Sequence, residues 1–399
     1  MAFDPDRIRP QYPALKDGRA WLDGAAGTQV PQSVIDAISD AYRIGIGNTG
    51  GVFGASKFSE QIQWQAREAF ADLVGGKPEG VFFMQSATVI CYAISRMLAN
   101  TWSAGDEIVV SRLDHDSNVR PWIQAAKEKG VTIRWAEIDL ETGDLPADQY
   151  KELVNGRTRL VSVTAASNVL GTKPDIATIA EIAHSAGALL YVDGVHSTPH
   201  FPIDINAFGA DFYVSSSYKW QGPHLSGLAA DPELLHRLSP YKLDSSTTES
   251  PRKYELGTPP FADLAGLTAA VDHVASADPS ATGSRRERVQ TSMTAVAEYQ
   301  SIEAKRMIKS LRDMPKVTLY SNLPDKTPTA YFTVAGYSPE QVAMALDKAG
   351  VNVWNGHNYA YEVTAALGIR DAGSAVRAGL SLYNNRQDVD RLLEVIEKL

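Results

Sequence analysis

Strand-like and helical runs alternate along most of this 399-residue chain, and that alternation restricts its fold more than any other feature. Val81 to Met84, Glu107 to Ser111, Val131 to Glu137, Arg159 to Thr164, Ala188 to Val192 and Asp211 to Ser215 are short, nearly continuous apolar runs. Helical spacers lie between them at Val89 to Ala99, Val119 to Lys129, Ala147 to Val154 and Ile176 to Ala186. A strand that returns through a helix pairs in parallel with the one before it, and the helices cover both faces of the sheet. The expected architecture is α/β: a large three-layer domain around a mostly parallel sheet. After Pro223 the pattern loosens, and Leu243 to Pro260 reads as a polar loop longer than a connector needs. Helical tracts then run from about Ala262 to Ala275 and from Ser284 to Met314. The C-terminal part alternates Val317 to Tyr320, Ala330 to Val334, Pro339 to Ala349, Val351 to Trp354, Ala375 to Tyr383 and Arg386 to Leu399, which suits a smaller α+β domain. The expected division is 21–274 for the large domain and 1–20 with 275–399 for the small one.

Composition excludes several classes of function. With 44% apolar and 21% charged residues the chain can bury a core and is not disordered. A net charge of −9 without a clustered basic stripe argues against nucleic acid as a partner. The first twenty residues lack the apolar core of a signal peptide, and no run is long enough to span a membrane, so a cytoplasmic protein is expected. The one cysteine, Cys91, excludes an intrachain disulfide and a cysteine-based metal cluster. Gly45 to Gly50 matches GxGxxG, but it follows a helix and precedes a loop, the wrong context for a dinucleotide site.

The residues that carry chemistry stand at strand ends, where ligands of open α/β sheets collect. Asp193 closes one apolar strand, and Lys219 follows the next through three serines and a tyrosine. An amine can form a Schiff base with an aldehyde, and an acid beside it suits the ring nitrogen of pyridoxal phosphate. Ser86, Ala87 and Thr88 sit where a strand passes into a helix, a favourable place for a phosphate, although Ser and Thr there can equally be plain caps. Ser216 and Tyr218 add hydroxyls beside Lys219. His115 follows another strand end and can stack on an aromatic ring or lie at the surface. Asn168 and His196 are polar groups past further strand ends, with a turn role as the alternative. Arg377, on strand pattern alone, reads as a surface ion pair.

In this order, Thr88, His115, Asn168, Asp193, His196, Ser216, Tyr218 and Lys219 resemble the fold-type I pyridoxal phosphate enzymes, in particular class V aminotransferases of the cysteine desulfurase and selenocysteine lyase type. The likeness runs from LDGAAGT to VRAGLSLYN and is most specific in SNVLGT, YVDGVHS, the serine-tyrosine-lysine run and YELGTP. It implies that Lys219, Asp193 and His115 are catalytic: Lys219 holds the cofactor as a Schiff base, Asp193 meets the ring nitrogen and His115 stacks on the ring. Asn168 and His196 would address the ring oxygen, and Ser86, Thr88, Ser216 and Tyr218 the phosphate. Thr258 would reach the phosphate in the neighbouring subunit of a homodimer, and Arg377 would bind the α-carboxylate of an amino-acid substrate.

The likeness breaks at Val353-Trp354-Asn355-Gly356-His357-Asn358-Tyr359-Ala360. Desulfurases of this type carry a sulfur-accepting cysteine there, and aligning the shared glycine and histidine puts Tyr359 in its place and Trp354 where a second arginine often stands. Trp354, His357 and Tyr359 are therefore expected to face the substrate. Cys91, among apolar neighbours on a helix, reads as a core thiol. The resemblance, with no thiol at that position, implies carbon–sulfur or carbon–selenium lyase chemistry without a persulfide on the protein. A class V aminotransferase or epimerase, or a non-enzymatic protein that keeps the fold, are the alternatives.

Overall fold

Apolar runs buried on both faces form the centre of the molecule, and their order decides where the chemistry sits. A computed structural model describes residues 3–399. Its strands are β1 (Ala20–Trp21), β2 (Val81–Met84), β3 (Glu107–Ser111), β4 (Thr132–Ala136), β5 (Thr158–Thr164), β6 (Leu189–Asp193), β7 (Phe212–Ser216) and β8 (Ser226–Ala230), followed by β9 (Val317–Leu319), β10 (Thr329–Val334), β11 (Val351–Asn352), β12 (Trp354–Gly356) and β13 (Ala375–Gly379). A seven-stranded sheet has the order β2-β8-β7-β6-β5-β3-β4. Only β8 runs against its neighbours in that sheet.

Helices Gln32–Ile44, Gly54–Val74 and Phe261–Ala275 pack together on one face, and Ala87–Ala99 with Arg120–Lys129 cover the other. This explains why the strand sequences do not alternate, since each residue of β3, β7 and β8 is buried whichever way it points. Full burial of one large apolar side chain such as Phe212 contributes about 1.5–3 kcal/mol.

β8 is the main correction to the expected elements. Its sequence, SGLAA, has no strand-forming pattern of its own, and it is a strand because the edges of β2 and β7 both pair with it. Its small residues suit that place: a Cβ on Gly227 would come within 2.9 Å of the Phe70 ring and 3.0 Å of Phe83. The expected strand Val351 to Trp354 is in fact two, with β11 beside β1 and β12 beside β13. The expected strand from Ala375 stops at Gly379, and a short helix, Tyr361–Ala366, was not foreseen because six residues carry too little periodicity to register.

The second sheet is antiparallel, in the order β12-β13-β10-β9, and helices Arg285–Asp313, Pro339–Lys348 and Arg386–Lys398 supply much of its core. Ala20 and Leu22 pack into that core. Phe3, Ile8, Tyr12 and Leu15 pack with Ala277, Val296, Leu382 and Tyr383, so the N-terminal segment lies against the C-terminal part of the chain.

The long segment 243–260 is not wholly a polar loop. Tyr254 stacks on Phe82 with ring centres 4.8 Å apart, and Glu255 accepts hydrogen bonds from Arg67 at 2.9 Å and Gln63 at 2.6 Å. Arg67 and Glu255 are both buried, at 5% and 7% side-chain exposure. Removing one member leaves the other charge buried and uncompensated. Glu255→Ala should therefore destabilise the protein by about 3–5 kcal/mol, whereas Glu249→Ala, exposed on the same segment, should stay within about 0.5 kcal/mol. Thermal melting of the two variants is the check.

Candidate active site

The parallel strands β5, β6 and β7 end side by side, which brings residues distant in sequence to one edge of the sheet. Asp193 is the last residue of β6, and its carboxylate accepts a hydrogen bond from the Val195 amide at 2.9 Å. The turn must be tight, because a Cβ on Gly194 would fall 2.0 Å from the Tyr213 ring. Burial pushes the Asp193 carboxyl up to about 6. Lys219 follows β7 in a single 3-10 turn, and its buried amine donates to the Ala25 carbonyl. Burial first, and then the positive charge of Arg377, lower that amine to about 7; Asp193 and Asp23 oppose the shift.

Arg377 is a central residue of β13 and is only 4% exposed, so the surface ion pair expected from strand pattern is wrong. The second sheet delivers it to the ends of the first, where its guanidinium donates to the Asn168 carbonyl at 3.0 Å. The Asn168 side chain in turn donates to the Asn358 carbonyl at 2.8 Å. These two bonds tie β13, the segment after β5 and the loop after β12 into one wall.

Arg377, Lys219, His115, Asn168, Thr88, Tyr218, Trp354, His357 and Tyr359 line one cleft of about 710 Å³. A smaller recess of about 60 Å³ continues from it, walled by Ser86, Ala87, Thr88, Asp193, His196, Ser216 and again Lys219. Every expected site residue except Thr258 thus borders one connected space. Thr258 is exposed on the segment before Phe261 and lines neither part.

Local bonds hold several of these groups. The Ser86 hydroxyl caps helix Ala87–Ala99 by accepting from the Val89 amide at 3.2 Å, and Ser216 shares a hydrogen bond with Ser226 at 2.7 Å. His115 Nδ1 is 2.7 Å from the Ser117 hydroxyl, and burial pushes the imidazole down to about 3, so the ring is neutral near pH 7. Its ring centre lies 5.3 Å from that of Tyr359, tilted by 32°. His196 Nε2 meets the hydroxyls of Thr327 at 3.1 Å and Thr329 at 3.2 Å. Tyr359 and Asn358 adopt left-handed backbone angles, with φ of 57° and 49°, and the Tyr359 carbonyl accepts from the Asp116 amide at 2.8 Å.

Two features were not singled out from sequence. Asp23 follows β1 by two residues and bridges to Gly379, and burial raises its carboxyl to about 6 beside Arg377 and Lys219. The same signal as at Asp193, an acid after a short apolar run and before a glycine turn, was present in LDGAAGT. Arg120 and Asp116 also border the cleft, paired with each other at 2.8 Å.

The class-V aminotransferase family model matches residues 20–392. The chain belongs to that family. It is a pyridoxal phosphate-dependent enzyme. A cysteine desulfurase of Klebsiella pneumoniae (strain 342) is 30% identical over 424 residues, covering 100% of this chain and 99% of that protein. An uncharacterised protein of Mycobacterium tuberculosis (strain CDC 1551 / Oshkosh) is 33% identical over 400 residues, covering 100% of both. Among solved structures, the cysteine desulfurase CsdA of Escherichia coli is similar with a TM-score of 0.87 at 27% identity, covering 100% of this chain and 98% of that one. The apo cysteine desulfurase of Thermococcus onnurineus NA1 has a TM-score of 0.90 at 25% identity with the same coverage.

The recess suits such a cofactor. A helix start and hydroxyls stand at its rim, a carboxylate lies within it, and two buried polar atoms, Asn168 Oδ1 and His196 Nδ1, have no partner. A ligand that brings its own polar atoms would satisfy them.

An amine attacks an aldehyde only when neutral, so cofactor capture by cofactor-free enzyme should rise with pH through about 7. Arg377→Gln removes a positive neighbour, which raises the Lys219 pKa and should move the rise to higher pH. Stopped-flow absorbance of cofactor binding across pH is the measurement, and an unshifted profile would contradict the assigned cause.

Proposed function

We propose that this enzyme removes a sulfur- or selenium-bearing group from the side chain of an amino acid and releases it directly, without passing it to a protein thiol. The observation that carries this reading is the position of the only sulfhydryl. Cys91 is fully buried on helix Ala87–Ala99, 3.1 Å from the Tyr191 hydroxyl, and lines neither the cleft nor its recess. Burial also pushes its thiol pKa up, away from the nucleophilic thiolate. At the mouth, where a sulfur acceptor would be needed, stands Tyr359, 66% exposed.

The roles follow from the surroundings of each group. Lys219 would hold the cofactor at its aldehyde carbon, and its amine, kept near neutrality by burial, would be the base for the substrate Cα proton. Asp193 would be the anionic partner of the ring nitrogen. His115, neutral, would face the ring, and Asn168 with His196 would address the ring oxygen. Ser86, Ala87, Thr88, Ser216 and Tyr218 form the phosphate cup. When bound, pyridoxal phosphate supplies an electron-withdrawing ring joined to the substrate Cα. Arg377 holds the α-carboxylate, and Trp354, His357 and Tyr359 bound the side-chain end.

Residues 21–274 form the cofactor-binding domain in this reading, and 1–20 with 275–399 the smaller one. The packing of residues 3–15 against Ala277 and Val296 supports the division. The working unit is a cytoplasmic homodimer in which the exposed Thr258 of each subunit reaches the other's phosphate cup.

A panel of amino acids tests the chemistry. Cysteine or selenocysteine should yield dissolved sulfide or selenide together with pyruvate and ammonia, or elemental sulfur or selenium together with alanine, and Cys91→Ala should keep the turnover. Formation of a 2-oxo acid with stoichiometric amination of the cofactor would mark a transaminase instead, and a persulfide trapped on Cys91 would overturn the reading. Loss of a charged, two-point contact costs about 1.5–3 kcal/mol, so Arg377→Gln should raise KM roughly 10- to 100-fold. Lys219→Ala should abolish both turnover and the visible absorption of bound cofactor.

A further inference from the structure

A second cavity, sharing no lining residue with the cleft, lies between helix Arg285–Asp313 and the segment that leads into β10. Its volume is about 140 Å³, below the roughly 300–1,000 Å³ of pockets for drug-sized ligands. Lys305, Lys309 and Arg312 line it from one face of the helix, at spacings of four and three residues, and Lys326 enters from the facing segment. Ile308 and Pro324 make its apolar walls.

The charges in this pocket are poorly compensated. Lys309 pairs with Asp313 at 2.6 Å, but Lys305, Arg312 and Lys326 make no ion pair or side-chain hydrogen bond among the described residues. The nearest acids are engaged elsewhere: Asp325 pairs with Lys173 at 2.6 Å, and Glu303 with Arg306 at 2.8 Å. Lys326 is half-buried, and burial together with the Arg312 charge lowers its amine to about 7, with no carboxylate acting in the other direction. A basic residue in the last turn of a helix balances its dipole, which accounts for Arg312 alongside the Lys309–Asp313 pair. It does not account for a fourth cation brought against them from another segment. Grouping like charges costs free energy that a bound anion returns, and on a chain of net charge −9 such a grouping stands out.

We propose that the pocket formed by Lys305, Lys309, Arg312 and Lys326 is a binding site for a small phosphate-bearing anion, separate from the cofactor's own phosphate cup. The lining suits a dianion: exposed Lys305 and Arg312 and half-buried Lys326 offer two ammonium groups and a guanidinium fork without a protein partner, exposed Lys309 is shared with Asp313, and Ile308 and Pro324 leave apolar wall for a short carbon stem. The site is independent of the reaction proposed above. The chain connects it to the cofactor recess all the same. Lys326 bridges to Thr172, and the next residue, Thr327, holds His196 at 3.1 Å.

Calorimetric titration of cofactor-saturated enzyme tests the site, because the bound cofactor already fills the other phosphate cup. Inorganic phosphate and glycerol 3-phosphate are titrated separately, and one saturable event per chain is expected. Stronger binding of glycerol 3-phosphate assigns the site to phosphorylated metabolites, and equal binding to free phosphate. Lys326→Met and Arg312→Gln should each weaken binding at least about tenfold, the equivalent of one charge-assisted hydrogen bond. Lys16→Gln, exposed elsewhere, should leave it unchanged. Without ligand, Lys326→Met should melt no lower than wild type, which separates lost binding from lost folding. No saturable binding of either anion to wild type, or unchanged affinity in Lys326→Met, would overturn the proposal.

Discussion

An amine buried beside a guanidinium is the constraint on which the rest of the site depends. Lys219 and Arg377 carry like charges in a space with little water, and each is pushed toward its neutral form, to about 7 and about 10. Only Asp193 and Asp23 oppose that tendency at Lys219. Such an arrangement is unfavourable for an empty protein and favourable for one that brings an aldehyde to the amine and a carboxylate to the guanidinium. The surrounding fold is rigid where this arrangement needs it. Both flanking strands are fully buried or nearly so, and the Gly194 turn has no room for a side chain.

The two sheets meet at this constraint. Asp193 and Lys219 belong to the parallel sheet and Arg377 to the antiparallel one, and the bonds through Asn168 join them. The loop carrying Tyr359 is fastened by the same set: Asn358 through Asn168, Tyr359 through the Asp116 amide, and the Gly356 carbonyl through the Tyr331 hydroxyl at 2.8 Å. In the proposed reading, the loop at the substrate's side-chain end is therefore positioned by the residues assigned to the cofactor and the carboxylate. A change of residue at Tyr359 leaves these attachments in place, since the loop is held mainly through its main chain.

Much of this was legible in the sequence because parallel strands buried on both faces read as apolar runs, and β2, β3, β5 and β7 fall at or within one residue of where those runs stand. β8 was not legible. Its identity as a strand comes from two waiting edges and from rings that need a small residue opposite them, neither of which is encoded locally. Arg377 reads as a surface charge for a similar reason: a single arginine in a strand says nothing about which way it points until the second sheet is docked. Asp23 went unmarked although it carried the same local signal as Asp193.

By itself, then, the sequence determined the alternating architecture, the acid and amine at adjacent strand ends, and a single cysteine set among apolar neighbours. Those features depend on local periodicity and residue chemistry. Only the tertiary structure decided that Arg377 is buried beside Lys219, that Asn168 joins the two sheets, and that Lys326 is brought against the cations of helix Arg285–Asp313. Each of these is a through-space relation between separate elements, and burial and charge act across distance, not along sequence.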